Sequence, residues 1–189
     1  MTLDNVPTAV LLAVLIAAAV IDTRRHRLPN TLTVTAALLG LGLQTGFQGV
    51  SGLLNGLAGF FTGLVLFLPF YALRWMGAGD VKLMAAVGSF LGWPDSLLAV
   101  GLSTGAGSLA AFGLLAARGG LLDYLRRYGG MAKCLFLTGG CAYVPPKAGE
   151  ASTRVFPYAL AIGLGSLATL VWNGRLAPFL EILGSFVHV

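Results

Sequence analysis

Two aspartates stand at the edges of apolar runs in a chain with few acids. Asp22 closes the run "VPTAVLLAVLIAAAVI" and leads into "DTRRHRLPN"; Asp80 sits in "GAGDVKL", between "FFTGLVLFLPFYALRWM" and "MAAVGSFLGW". Acids within or beside a membrane-crossing segment are costly, and by default they mark function. Each alone has a plainer reading as a solvated helix cap. As a pair they define a chemistry. Two carboxylates brought close cannot both ionise easily, so one pKa rises and a proton is shared between them. The ionised member can take a proton from water while the protonated one polarises a peptide carbonyl. A tetrahedral diol results, and the acids exchange roles to protonate the leaving amine. That route needs no metal, cofactor or covalent intermediate. The chain also has no "GxSxG" setting for a nucleophile and no "HExxH" for zinc.

The rest of the chain must bring these acids together. It has 189 residues, 57% of them hydrophobic and 10% charged, with mean hydropathy +0.85. A soluble domain carries about a quarter charged residues, so water is not the main solvent here. Apolar stretches near the roughly 20 residues that cross a bilayer as helix, with 27 glycines that suit close helix packing, point to an all-α integral membrane protein. The N-terminal "MTLDN" lacks the basic residues of a secretory signal, so the first apolar run reads as a retained helix. Cys134 and Cys141 are too few for a disulfide framework or a zinc site and read as small packing residues.

Hydropathy gives about six spans, running from Pro7 to Ile21, Leu32 to Leu43, Leu53 to Leu73, Leu83 to Leu91, Leu97 to Ala117, and Val155 to Trp172. The second and fourth are short, and "GWPDS" at 92–96 is a turn between the fourth and fifth. With backbone polar groups in lipid satisfied internally, the spans are helices rather than open strands. Placing the N-terminus outside puts Arg24, Arg25, Arg27, Arg74, Lys82 and every basic residue of 118–154 inside. Of the 12 Lys and Arg only Arg175 is then outside, which is the positive-inside pattern. That asymmetry explains the net charge of +5 without an acidic partner or nucleic acid. It also puts Asp22 and Asp80 at the same, cytoplasmic face. The whole chain, 1–189, reads as one membrane-embedded domain with a basic cytoplasmic segment at about 118–154. Within that segment "GGLLDYLRRYGG" has the spacing of a short amphipathic helix on the inner leaflet, or is an ordinary positive-inside loop.

At the acids the chain resembles a known family. "IDTRRHRLPN" and "GAGDVKLMAAVG" resemble the two aspartate motifs of the type IV prepilin peptidases, the GxGD-type membrane aspartyl proteases. "RVFPYALAIG" at 154–163 is similar to the family's third, Pro-containing motif. The resemblance implies a six-helix bundle in the bacterial inner membrane with its site near the cytoplasmic face. Its substrates would be prepilins or pseudopilins, cut between a basic leader and the hydrophobic helix. Asp22 and Asp80 then match the catalytic pair, and Gly77, Gly79 and Lys82 the loop around the second acid. The larger members carry an N-terminal domain with paired Cys-x-x-Cys zinc motifs and methylate the new N-terminus. This chain is expected to be the short form found with tight-adherence (Flp-type) pili.

Other motif residues have two readings each. Arg24, Arg25 and Arg27 are positive-inside anchors before they are partners for Asp22, and His26 is a turn residue before a tuner of its proton. Lys82 either acts on Asp80 or snorkels to headgroups. Pro29 and Asn30 suit a helix start, with Asn30 as a cap or a site donor. Phe156, Pro157 and Tyr158 shape a substrate groove or start the last helix. The rival function is a non-enzymatic transporter or pilus-assembly factor that uses the acids as a proton relay. The edge position of the acids and the lack of a broken mid-helix repeat argue against it.

Overall fold

A computed structural model describes residues 5–25, 28–73, 76–117, 129–130 and 158–177, and among them there is no strand. Among the described residues the helices with defined bounds follow in this order: α1 (Val6–Arg25), α2 (Asn30–Ala72), α3 (Ala78–Leu91), α4 (Asp95–Ala117) and α5 (Tyr158–Trp172). Two compact units divide the chain. One holds Met1–Gly107 and Pro157–Val189, the other Ser108–Phe156. The described part of the second unit is the end of α4 and residues 129–130. The two cysteines and nearly all of the basic segment at 118–154 lie outside the described residues.

α2 spans 43 residues but is broken once, at Gly49, with φ 64 and ψ −144. Only glycine takes that conformation without a Cβ clash. The break is a reversal. A side-chain carbon of Leu41 lies 3.1 Å from the Cβ position of Gly56, which in a straight helix would be about 22 Å further along. The two arms, 30–48 and 50–72, therefore fold back on each other as a hairpin. The uncharged "QTGFQGVS" at 44–51, which lies between the second and third spans expected from hydropathy, is helical on both sides of one glycine. Turning within one residue leaves few backbone groups outside the helical hydrogen bonds.

α3 lies against both arms of the hairpin and is enclosed: Val81 and every residue from Leu83 to Leu91 are buried. The contact is between backbones, with the Cβ position of Gly88 falling on the Gly59 carbonyl and that of Gly59 on the Gly88 carbonyl. Small residues allow such approach where lipid removes the ordinary hydrophobic drive between helices. Gln44, buried on the first arm, donates from Nε2 to the Phe90 carbonyl at 2.9 Å. At Gly92 (φ 72) the chain turns into α4, and the Trp93 amide donates to Asn55 Oδ1 at 2.8 Å. Arg175, beyond α5, meets Asp95 at the start of α4, 2.8 Å apart.

The unit is arranged inside out relative to a water-soluble domain. Ser89, Ser96, Ser103, Ser166 and Thr169 are fully buried, while Trp172, Val50 and Leu38 are 81%, 73% and 63% exposed. Such an exterior requires an apolar surrounding. Among the described residues, three helices are long and apolar enough to cross a membrane: Val6–Arg24, Asn30–Ala72 and Asp95–Leu114. α3 and α5 have 14 and 15 residues, about 21–22 Å of rise against a hydrocarbon core of about 30 Å.

Candidate active site

Both acids lie inside helices rather than beyond their ends. α1 continues past Ile21 to Arg25, where Thr23 returns its hydroxyl to the Ala19 and Val20 carbonyls at 2.9 and 3.0 Å. Asp22 is thus carried on the last turns of α1 and is only 6% exposed. Its Oδ2 accepts the backbone N–H of Ala159, 137 residues on, at 3.3 Å. Ala159 is the second residue of α5. The first amides of a helix have no partner within it, and here one of them is used to seat a buried carboxylate.

Asp80 is held differently. The "GAGD" loop runs straight into α3, with Gly77 extended (φ −78, ψ 153) at the cap and Asp80 in the first turn. Asp80 reaches back: Oδ2 accepts the Gly77 N–H at 3.2 Å, and its own N–H donates to the Gly77 carbonyl at 3.1 Å. An acid three residues into a helix often closes such a box, and that alone would give it a structural role. Its electrostatics go further. Burial first, and then the charge of Asp22, push the Asp80 carboxyl up from 3.8 to about 6, against the opposing pull of the Gly77 amide. The charge of Asp22 is thus felt at Asp80.

The remaining expected residues meet at the same end. Pro29 is the cap of α2, and Asn30 its first residue. Leu28, just before them, packs 3.1 Å from the Cβ position of Gly79, so the "LPN" and "GAGD" segments touch. Asn30 makes no side-chain cap. Its Oδ1 instead accepts from Lys82 Nζ at 2.8 Å, tying the start of α2 to α3. That bond takes up Lys82, the residue expected either to act on Asp80 or to reach headgroups. Gly77, Gly79, Lys82, Pro29 and Asn30 thus gather beside Asp80. Arg24 is exposed. Pro157, His26 and Arg27 lie outside the described residues, as does the side chain of Arg25.

Sequence reasoning missed the Ala159 amide and the surroundings of Tyr158. The Tyr158 ring meets Phe67 of α2 edge-on at a centroid distance of 6.1 Å. It also shares a side-chain hydrogen bond with Thr104 of α4. The available signal was weak: a tyrosine directly after a proline at a helix start, where free amides gather.

Residues 9–112, more than half of the 189, match the type IV leader peptidase family, and the chain belongs to that family. It is 36% identical over 108 residues to a prepilin leader peptidase/N-methyltransferase of Pectobacterium carotovorum subsp. carotovorum, covering 50% of this chain and 37% of that protein. Over 114 residues it is 34% identical to the protein of the same description from Aeromonas hydrophila, covering 56% and 38%. The matches thus span under two fifths of the length of those curated relatives. No solved structure matches the chain.

Proposed function

We propose that this protein is a membrane aspartyl endopeptidase that removes the short basic leader of type IV prepilins or pseudopilins. The observation that carries the reading is that the segment matched by the family brings both acids to one end of the bundle, Asp22 buried near the end of α1 and Asp80 in the first turn of α3, where Leu28 and Gly79 touch. The dyad holds one proton between its two acids. One carboxylate takes a proton from the attacking water, the protonated one donates to the scissile carbonyl oxygen, and a diol forms. Collapse breaks the C–N bond as a proton passes to the leaving amine. The apparent pKa values belong to the pair, and Asp80's value of about 6 predicts that kcat/KM falls as pH rises through that region. Gly77, Gly79, Pro29, Asn30 and Lys82 shape the approach to Asp80.

Six crossings complete the reading: α1, the two arms of α2, α3 from Leu83 onward, α4 and α5, which leaves Asp80 at the membrane edge. The arms, at 19 and 23 residues by their bounds around Gly49, support counting α2 twice, since about 20 residues span a bilayer. The basic residues then place the acid end at the cytoplasmic face of the bacterial inner membrane, with both termini outside. A prepilin presents its leader there and leaves its apolar helix in lipid.

The test is co-expression in membranes with a Flp-type prepilin, read as a gel shift. Wild type should shorten the prepilin, while Asp22→Asn and Asp80→Asn, at equal expression, should leave it intact. Cleavage by either variant would remove the dyad from the mechanism.

A further inference from the structure

The start of α5 lies outside the residues matched by the family, yet it touches the site twice in succession. Ala159 gives its amide to Asp22. Tyr158, the residue before it, is fixed by two other helices. Phe67 of α2, itself fully buried, meets its ring. Thr104 of α4 bonds its hydroxyl. One turn further along α4, Gly107 leaves room for the ring: a Cβ there would lie 2.6 Å from Tyr158 Cε2 and 2.7 Å from its hydroxyl oxygen. Deeper in the same seam, Gly165 of α5 lies on the Ser103 backbone. The first turn of α5 therefore cannot shift along α4 without breaking the Tyr158 seat.

We propose that Tyr158 is a positioning residue for the acid pair: anchored on Gly107, Thr104 and Phe67, it fixes the first turn of α5 and so the place where the Ala159 amide holds Asp22 opposite Asp80. The proposal rests on the peptidase reading above. Tyr158 does not enter the chemistry; it sets the spacing between two groups that do. Asp22 on α1 acts electrostatically on Asp80, the charge of Asp80 in turn reaches Tyr158 on α5, and Lys82, on Asp80's own helix, is bonded to Asn30 of α2. The spacing has its own signature. The charge of Asp22 raises the pKa of Asp80. If Asp22 loses its fixed place that push weakens, and Asp80 gives up its proton at lower pH.

The experiment compares wild type, Tyr158→Phe, Thr104→Val, the double variant and Asp80→Asn as full-length protein in liposomes, cutting a Flp-type prepilin. Tyr158→Phe keeps the ring on Gly107 and Phe67 and removes only the hydroxyl. Each single variant should lower kcat by about 10-fold or more, since small misplacements of reacting groups are costly, with KM within about twofold. The alkaline limb of kcat/KM should move to lower pH. The double variant should be no worse than the worse single, because the two changes remove one shared bond. Wild-type kcat with an unmoved limb overturns the proposal, as does a loss confined to protein recovery or to KM. If Asp80→Asn still cuts, the dyad reading itself fails. If Asp80→Asn is dead while Tyr158→Phe behaves as wild type, only the positioning role does.

Discussion

Asp22 and Asp80 are chemically identical and are held in opposite ways. Asp80 is seated by its own loop, three residues back, at Gly77. Asp22 is seated by an amide 137 residues away, on another helix. The first arrangement forms as soon as α3 forms; the second exists only once α5 has docked against α1. A local seat tolerates rearrangement elsewhere in the bundle. A long-range seat makes one acid report on the assembly of the whole unit.

The bluntest way to probe that difference is to remove each carboxylate. Asp22→Asn and Asp80→Asn should both reduce cleavage by at least about 10³-fold, as loss of an acid–base group does. Equal losses would show that the two seats serve one reaction. Replacing the amides instead of the acids should separate them. Ala159→Pro removes the donor to Asp22 at a position in the first helical turn, where proline is tolerated, and should lower kcat by about 10- to 100-fold. Gly77→Pro removes the donor to Asp80 from a residue whose φ of −78 already suits proline. Since that hydrogen bond lowers the Asp80 pKa, its loss should move the alkaline limb of kcat/KM to higher pH, with a smaller loss of rate. A shift to lower pH, measured from pH 5 to 8, would contradict the assignment of the Gly77 bond.

Stability gives a finer test. A carboxyl whose folded pKa is raised to about 6 makes the folded state bind more protons than the unfolded one between about pH 4 and 6. Stability contributed by this group therefore falls as pH rises through that window. Asp80→Asn should melt higher than wild type in detergent at pH 7.5, and the gap should close near pH 4. The smallest effect belongs to the exposed strap between Lys82 and Asn30. Lys82→Met should cost at most about 1 kcal/mol of stability and change cleavage only a few-fold.

The same contrast explains what could be read from the sequence. Asp80's setting was visible in "GAGDVKL" because a glycine loop, a first-turn acid and a helix are neighbours in the chain. The apolar segments were visible for a similar reason, as composition is local; their ends were not. Asp22 proved to lie within α1, since helical geometry continued through Thr23 and Arg24. The reversal at Gly49 looked like a loop because nothing in "QTGFQGVS" distinguishes one left-handed glycine from several loose residues. Asn30 reads from sequence as a cap or as a hydrogen-bonding group near the site, and only the fold shows that its side chain accepts from a lysine 52 residues away. The Ala159 amide carries no sequence signal beyond its place near a helix start. A backbone donor is the same at every residue, and only the docking of α5 makes this one a partner of Asp22.

The α2 hairpin has a mechanical consequence. Its bend at Gly49 lies at one end of the unit, and both of its tips, at Asn30 and Ala72, lie at the other, next to the helix ends that carry the two acids. The first arm is about 28 Å long at 1.5 Å per residue, so each degree of change in its angle displaces the Asn30 tip by about half an ångström. Leu28 and Asn30 pass such a displacement directly to Gly79 and Lys82. Gly49 is thus among the residues farthest from the carboxylates along α2 and has the greatest leverage over their surroundings.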